Sequence, residues 1–448
     1  MKRWIAWIAA VITAVMMPLT VCAADIRYEF EAEEGETIAS PSAMLMYLGV
    51  RAEQDVLLYE KDADTAYQPG ALTRVAMLGY AMKLVEEKQL DLDESTGTFT
   101  LYLYNHYVTG TGLAIANMGT GEEWTLRDLF SVCAIQTAAD SAVTLAAALS
   151  GTVEAFVDGL NAFAAELGCT GSHFTNVTGL NDEGQYMTPR DVMTFTRYAM
   201  QYSVLKEMMS LTQYTVNPVK KGKKTSWPTA NDMVRASSPY YYAYAHGGKT
   251  GGTLTELGVV QFGGKDGYEY LAVVMGAPKK DEKGNPTGTA YADIRRLLRW
   301  GILDFEYCIL AHKSEPVARI PLRGSAKKDS IQLVPTADLA TVIAEDIDQS
   351  KLVRKVTYTV DSLTAPVEKG QVVGRLEIYY EDALVGAVDL QTGETAEYQF
   401  LYTLWLKIAS WFSGWRFWLM VVILAALIGG YAVLNVAYNR KKRTKTRR

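Results

Sequence analysis

Apolar residues alternate with polar ones near the start of the chain body and then recur at helical spacing. Residues 43–60 contain two short apolar stretches joined by a polar segment, which predicts two strands and a turn. Between residues 72 and 88, apolar side chains fall every three or four positions, and this spacing predicts a helix. Two Ala-rich stretches, 126–149 and 153–167, predict further helices separated by Ser150-Gly151.

Predicted helices and predicted strands continue to alternate further along the chain. Thr188-Pro189-Arg190-Asp191 predicts the start of another helix, because proline suits the first helical turn. Residues 259–262 and 268–275 are typical of strands on either side of a Gly-rich turn, and 290–312 is predicted to be helical.

The pattern changes at about residue 314, where short alternating strands replace the helices. These strands are predicted at 317–320, 353–360, 372–380 and 383–390. Short strands without helices favour a small β-sandwich or β-barrel. We therefore expect a second, all-β domain, joined to the first by a short basic linker around His312-Lys313.

The first residues have the layout of a secretory signal peptide, predicted at 1–24. Lys2-Arg3 precedes an apolar run from residue 4 to 17, and small residues stand at a cleavage site near Ala24. An uncleaved membrane anchor is the alternative. A lipoprotein signal is less consistent with the sequence, because Val21 stands where a small residue is wanted before Cys22.

The other end predicts a membrane-spanning helix at 417–438. This stretch carries no charge over 22 residues, which corresponds to roughly 33 Å of helix and suffices for the hydrocarbon core. Trp411, Trp415 and Trp418 would lie at the interface, after a juxtamembrane segment at 396–416. The basic tail at 439–448 favours a cytoplasmic end, so we expect a single-pass protein of the cell membrane with its body on the extracytoplasmic face. A buried core helix is the alternative.

Composition and charge narrow the class of protein. Of the 448 residues, 49% are apolar and 21% charged, as in globular proteins. The last ten residues carry seven basic side chains and no acid, so the net charge of −6 leaves −13 for the rest of the chain. Such an acidic body argues against a nucleic-acid partner.

Four cysteines exclude a disulfide scaffold and give no metal-ligand spacing, so neither a metal nor a cofactor is predicted. After removal of the signal, Cys133, Cys169 and Cys308 remain, and we expect them to be buried free thiols.

Three short segments carry the candidate chemistry, and each is weak when taken alone. Pro69-Gly70-Ala71-Leu72-Thr73-Arg74 is an ordinary helix start, and Thr137-Ala138-Ala139 is uninformative by itself. Gly248-Lys249-Thr250-Gly251 is compatible with a Gly-rich hairpin turn. A phosphate-binding P-loop is excluded, because Ala243 stands where that motif needs a glycine.

Taken together and in this order, these segments resemble the low-molecular-mass penicillin-binding proteins, the D-alanyl-D-alanine carboxypeptidases of bacterial cell-wall maturation. The resemblance extends from about residue 43 to 390 and includes 57–64, 173–180 and 363–374. It implies an α+β fold, with a penicillin-binding-protein/β-lactamase-like transpeptidase domain at 25–313. A small all-β domain at 314–395 and a C-terminal transmembrane helix would follow.

The chemistry of that family uses the motifs S-x-x-K, S-x-N and K-T-G. An i, i+3 pair places the Ser hydroxyl and the Lys amine on one helix face, where a deprotonated Lys can activate the hydroxyl. The resemblance implies that the S-x-N side chains relay a proton and hold the substrate amide. It also implies that the K-T-G side chains bind the terminal carboxylate of the substrate.

This chain departs from the first motif at both decisive positions. Ala71 takes the place of the nucleophile and has no atom beyond Cβ that can be acylated. Arg74 takes the place of the base, and its guanidinium stays charged at any accessible pH. Removing the nucleophile of a serine hydrolase costs about 10⁶ in rate. Thr73 cannot replace Ala71, because it lies about 200° further around the helix.

The second motif is eroded and the third is intact. Thr137 keeps a hydroxyl where S-x-N has its Ser, but Ala139 lacks the amide of the Asn. Lys249, Thr250 and Gly251 keep K-T-G, and they are the expected substrate-binding residues.

These observations leave three hypotheses. The first is a catalytically inactive homologue that binds the D-Ala-D-Ala end of peptidoglycan stem peptides or acts as a scaffold for cell-wall synthesis proteins. The second is an active D-Ala-D-Ala carboxypeptidase with a non-standard nucleophile, although Thr137 and Thr250 lack an identifiable base. The third is a purely structural module with a closed cleft.

The segment before the third motif allows two interpretations. His246 is more consistent with a residue at the rim of a cleft than with a catalyst. The neighbouring tyrosines either form a binding rim or pack on another element. They are Tyr240, Tyr241, Tyr242 and Tyr244.

Overall fold

The computed structural model describes residues 30, 37–49, 54–325, 327–345, 347–398, 404–405, 408–409 and 414–445. These residues form two compact units. The first contains the described residues up to 308 together with 340–352 and 379–386, and the second contains the remainder. The domain limits expected from the sequence, 25–313 and 314–395, stay predictions.

An antiparallel five-stranded sheet forms the centre of the first unit. Its strands are β1 (Ser42–Leu48), β2 (Val56–Lys61), β7 (Ala245–Gly252), β8 (Glu256–Lys265) and β9 (Tyr268–Pro278). Their order across the sheet is β2-β1-β9-β8-β7, so β7 lies at one edge. All four pairings are antiparallel. The strands expected within 43–60 and at 259–262 and 268–275 are thus confirmed, and the last two are longer than predicted.

Helices and short hairpins complete this unit. The helices are α1 (Thr73–Glu87), α2 (Leu101–Leu103), α3 (Leu126–Ile135), α4 (Ala139–Ser150), α5 (Val153–Glu166), α6 (Pro189–Met200), α7 (Ser203–Ser210) and α8 (Thr289–Leu303). A 3₁₀ turn (Gly70–Leu72) precedes α1, and a π-helical turn (Tyr104–Val108) follows α2. The hairpins are β3 (Thr96–Thr98) with β4 (Glu123–Thr125), and β5 (Gln213–Val216) with β6 (Thr225–Pro228).

Both faces of the central sheet are covered, as alternate residues of β1 show. Met44 packs in the core formed mainly by α1 and α3–α7. Ala43 and Leu45 point the other way and pack in a second core with Ile294 and Leu298 of α8. This two-residue alternation follows from the pleat of the strand.

The structure corrects two of the predicted helices. The stretch 126–149 is not one helix, because α3 ends at Ile135 and α4 begins only at Ala139. The intervening Gln136 has extended backbone angles, and the N–H of Ala139 donates to the carbonyl of Ala114 instead of to the preceding helical turn. The stretch 290–312 is helical only to Leu303; strand β10 (Phe305–Ala311) follows.

The helix start at Thr188-Pro189 is confirmed. The Oγ1 atom of Thr188 accepts from the N–H of Asp191 at 3.2 Å, as an N-cap residue does. All three cysteines of the described residues are free, as expected; Cys133 and Cys169 are buried, whereas Cys308 in β10 is only half-buried.

The second unit is built on a six-stranded sheet. Its strands are β11 (Ala318–Arg323), β12 (Ser330–Pro335), β14 (Leu352–Tyr358), β15 (Leu363–Thr364), β16 (Val372–Tyr380) and β17 (Ala383–Thr392), in the order β14-β16-β17-β12-β11-β15. The four predicted strands correspond to β11, β14, β16 and β17, and the expected all-β domain is confirmed. Strands β12, β13 (Leu339–Ala344) and β15 were not predicted.

A long helix, α9 (Trp415–Lys445), follows the sheet. Its stretch Phe417–Ala437 has a mean hydropathy of 2.4 and, with 21 residues, is long and apolar enough to cross a membrane. The predicted span at 417–438 therefore coincides with a suitable helix. The predicted signal peptide at 1–24 lies outside the described residues.

Candidate functional site

The first and third motif segments meet through their main chains. Ala71 lies half-buried in the 3₁₀ turn before α1. A Cβ atom added to Gly251 would stand 2.2 Å from the nitrogen of Leu72, and one added to Gly70 would stand 2.1 Å from the oxygen of Gly252. Gly70 also has a φ of +50°, where a side chain is strained. Glycine is therefore required on both sides of this contact, which places β7 directly beside the Ala71 turn.

The second motif lies at the break between α3 and α4, not inside a helix as expected. Ala138 is the N-terminal flanking residue of α4, and its backbone is extended. Its carbonyl accepts from Nη2 of Arg74 at 3.2 Å and from the Ser141 hydroxyl at 3.2 Å. The structure thus brings the second motif into contact with the residue at the base position of the first.

Arg74 is completely buried and points into this junction. Nη1 donates to the carbonyl of Val177, and Nη2 donates to those of Thr178 at 3.1 Å and Ala138. Nε, also buried, has no partner among the described residues. Burial lowers the pKa of Arg74, an effect that Cys133 and Asp140 oppose. The guanidinium is therefore held by main-chain oxygens, a geometry that stabilises a cation and offers no proton acceptor.

The loop that supplies two of these carbonyls is fixed by a buried amide. Oε1 of Gln185 accepts from the N–H groups of Thr175 at 3.0 Å and Asn176 at 2.9 Å. Oδ1 of Asn176 accepts from the Thr178 hydroxyl at 3.0 Å and from the N–H of Leu180 at 3.1 Å. Because its own side chains hold the loop, the carbonyls of residues 177 and 178 face Arg74 in a set position.

Asp140 anchors the start of α4 to a neighbouring segment. It is 1% exposed, and its carboxylate accepts from the N–H groups of Ala116 at 2.9 Å, Met118 at 3.0 Å and Ser141 at 2.8 Å. Burial raises the pKa of Asp140, and these hydrogen bonds oppose that rise.

Lys249 of the third motif reaches across to the end of α3. Its Nζ atom donates to the carbonyls of Cys133 at 2.9 Å, Ala134 at 3.0 Å and Gln136. These bonds use all three N–H donors of a charged lysine and satisfy carbonyls at a helix C-terminus, where a cation is favourable. Burial and the charge of Arg74 lower the pKa of Lys249 to about 7, whereas the three carbonyls favour its charged form.

The remaining hydroxyls differ in their surroundings. Thr250 is 8% exposed and lies on the edge strand β7, and Thr137 is half-buried. The Thr73 hydroxyl donates to the carbonyl of Gly70 at 2.8 Å, so it is directed back into the 3₁₀ turn. Among the described residues, no group of three or more His, Cys, Asp or Glu side chains could hold a metal ion.

His246 and the tyrosines before β7 have different surroundings. His246 is exposed, and its Nδ1 lies 3.8 Å from Oε1 of Glu269. Tyr240 stacks on Tyr291 of α8 with ring centroids 4.6 Å apart, and Tyr242 packs in the same core. Two of the tyrosines therefore serve mainly to pack the segment before β7 against α8.

Several contributors to the site were not predicted. The carbonyls that hold Arg74 and Lys249 belong to residues whose side chains carry no relevant signal. Asp140 and Gln185 were also missed. An acidic residue directly after the second motif was the one available sequence signal, because acidic residues are favoured in the first turn of a helix.

Comparison with known families identifies both units. The family described as D-alanyl-D-alanine carboxypeptidase matches residues 29–279. The family described as penicillin-binding protein 5, C-terminal domain, matches residues 305–398.

Individual relatives carry the same descriptions. D-alanyl-D-alanine carboxypeptidase DacF of Bacillus subtilis is 24% identical over 322 residues, which cover 71% of this chain and 77% of that protein. DacC of Escherichia coli is 25% identical over 400 residues, covering 86% and 93%. The crystal structure of penicillin-binding protein 5 from Haemophilus influenzae superposes with a TM-score of 0.66 at 20% identity, covering 82% of this chain and all of the other. These likenesses confirm the penicillin-binding-protein/β-lactamase-like fold expected from the sequence.

Proposed function

The chain belongs to the D-alanyl-D-alanine carboxypeptidase family, and we propose that it is a member that has lost serine acylation and binds the D-Ala-D-Ala end of a peptidoglycan stem peptide without cleaving it. The proposal has two parts, loss of chemistry and retention of a binding edge, which rest on different residues.

The environment of Arg74 carries the first part. An acylating enzyme needs an oxygen nucleophile and a base that can take its proton. The 3₁₀ turn carries Ala71 in place of the oxygen nucleophile, and the guanidinium of Arg74 is buried among three carbonyl oxygens. A guanidinium in this setting cannot accept a proton, so neither partner of the pair is present.

The edge strand β7 supports the second part. An edge strand offers unpaired N–H and C=O groups to an extended peptide. Thr250 places a hydroxyl on this strand, and Lys249, the preceding residue of the strand, supplies a buried amine. Because its three donors are already engaged, Lys249 reaches a substrate carboxylate directly only by giving up one of its carbonyl bonds. We therefore expect weaker carboxylate binding than a free lysine would give.

The location proposed for this function is the extracytoplasmic face of the cell membrane, with α9 as the anchor. The apolar stretch Phe417–Ala437 and the basic residues after it support this orientation. An inactive member could there also serve as a scaffold for cell-wall synthesis proteins, a role that does not require peptide binding.

Labelling with a fluorescent penicillin tests the loss of acylation. The full chain in detergent micelles is incubated with the drug, next to penicillin-binding protein 5 from Haemophilus influenzae as a positive control. We expect no covalent label on this chain, as judged by gel fluorescence and intact-mass spectrometry. A stable adduct that Thr137→Val or Thr250→Val abolishes would establish the alternative, an active carboxypeptidase with a non-standard nucleophile.

Calorimetric titration with a stem pentapeptide tests the binding part. We expect binding of the D-Ala-D-Ala peptide and none of an L-Ala-L-Ala peptide. Thr250→Val removes one hydroxyl and should weaken affinity about fivefold, the equivalent of one hydrogen bond of about 1 kcal/mol. Lys265→Ala, at an exposed position at the end of β8, is the control. Absence of affinity, or affinity unchanged by Thr250→Val, would eliminate cleft binding and leave the scaffold role.

A further inference from the structure

The β5–β6 hairpin is the most basic segment of the described residues outside the C-terminal helix. Residues 213–228 contain four lysines and no acid, whereas the chain as a whole carries a net charge of −6. All four lysines lie in the hairpin tip, residues 217–224, and all are exposed. They are Lys220, Lys221, Lys223 and Lys224.

The hairpin tip is held in a defined conformation. Lys221 and Gly222 have successive φ values of +57° and +73°, both in the left-handed region. Asn and Gly are the usual residues there, so a lysine at the first position is a departure that costs backbone strain. The main chain of Lys220 pairs with that of Glu123, and Trp227 packs on Trp124 with ring centroids 5.6 Å apart.

Nearby acids do not cancel the charge of the tip. Glu123 lies 4.0 Å from Nζ of Lys220, and Glu122 lies beside Gly222. With these two carboxylates counted, the four lysines leave two positive charges on an exposed turn. Val219, at the base of the tip, is 57% exposed and adds an apolar side chain to the same surface.

We propose that the hairpin tip docks on a membrane surface rich in anionic phospholipid. Charge complementarity favours an anionic partner. The exposed Val219 beside the lysines favours a lipid interface over a soluble polyanion, because an interface accepts both a charged and an apolar side chain. The chain also carries a helix able to cross a membrane, which would hold the chain at such a surface. Each basic residue near an anionic surface raises partitioning about fivefold, so two net charges give on the order of 25-fold.

Hydrogen exchange on the full chain in lipid nanodiscs tests this docking. Amides of residues 217–224 are followed in nanodiscs of phosphatidylcholine alone and in nanodiscs with phosphatidylglycerol added. We expect at least a fivefold slowing of exchange in the anionic nanodiscs, reversed at about 0.5 M salt through screening. The test variant replaces all four lysines of the tip by glutamine and should lose the slowing. The control variant replaces four exposed lysines elsewhere by glutamine and should keep it: Lys265, Lys280, Lys283 and Lys351.

Two results would overturn the proposal. One is equal exchange of the tip in both kinds of nanodisc. The other is protection of the tip by soluble polyphosphate in phosphatidylcholine nanodiscs without protection by phosphatidylglycerol, which would assign the tip to a soluble polyanion. Unchanged exchange in α1 and α4 shows that the variants remain folded, so neither result can be attributed to unfolding.

Discussion

Replacing Arg74 by alanine should be among the most destabilising single changes in the first unit. The substitution leaves the inward-facing carbonyls of Val177 and Thr178 without donors, and the carbonyl of Ala138 keeps only the Ser141 hydroxyl. A hydrogen bond to a charged group contributes about 1.5–3 kcal/mol, but the sum overstates the loss, because burying the guanidinium also has a desolvation cost. Removing one partner of a buried charged cluster costs about 3–5 kcal/mol, and we expect Arg74→Ala to fall in this range.

Two further variants calibrate this value. Arg74→Lys restores the residue type of the family and keeps the charge, but it has one donor centre where Arg74 uses two nitrogen atoms. We expect it to cost about 1–3 kcal/mol, the equivalent of one lost charged hydrogen bond. Lys83→Ala on the same helix removes an ion pair with Glu166, whose side chain is 59% exposed, and should cost below about 1 kcal/mol.

Differential scanning calorimetry of the full chain in detergent measures these changes. For a unit larger than about 250 residues, 1 kcal/mol corresponds to about 1.5–2 °C in Tm, so Arg74→Ala should lower the Tm of the first unit by roughly 5–10 °C. The order expected is Arg74→Ala, then Arg74→Lys, then Lys83→Ala. A Tm for Arg74→Ala within 2 °C of the native value would refute the assignment of Arg74 as the donor that satisfies these carbonyls.

Three other predictions concern the same junction. The pKa of Lys249 is lowered to about 7 in the folded chain, whereas the unfolded chain keeps this proton to about pH 10. The free energy of unfolding should therefore rise from about pH 7 to 10. Calorimetry across this range should show a smaller rise for Lys249→Met. Ala71→Ser with Arg74→Lys should not restore full release of D-Ala, because Ala139 still lacks the amide; full turnover by the double variant would contradict this. Asp140→Ala, which strands three main-chain N–H groups, should lower stability by about 2–3 kcal/mol and speed hydrogen exchange at residues 116 and 118; unchanged exchange there would count against the anchoring role.

Local pattern was sufficient for much of the fold. The strands of the central sheet alternate clearly, and the cap at Thr188 is a local signal. The break between α3 and α4 could not be found in this way, because Ala138 and Ala139 are good helix formers. Contacts from a distant segment decide the break, since the N–H of Ala139 donates to Ala114. Strand β10 does have a local signal, because Glu306 and Cys308 separate the larger apolar residues Phe305, Tyr307 and Ile309.

The positions of the site residues could be predicted from the sequence, but the directions of their side chains could not. The sequence located Ala71, Arg74 and Lys249 within the three motifs, but it gave no indication of where the two cations point. Their acceptors are main-chain carbonyls, which every residue possesses, so composition and spacing contain no trace of them. Only the fold decides which carbonyls remain free to accept.

The glycine contacts around the Ala71 turn have a consequence for how such a protein can change over time. Since Gly70, Gly251 and Gly252 let backbone touch backbone, main-chain atoms set the separation between β7 and the Ala71 turn. A substitution at a neighbouring position can then remove or restore a reactive group while the separation between β7 and the Ala71 turn stays the same. Ancestral reconstruction on this scaffold is therefore a practical route to asking in which order Ala71, Arg74 and Ala139 entered the positions of the family motifs.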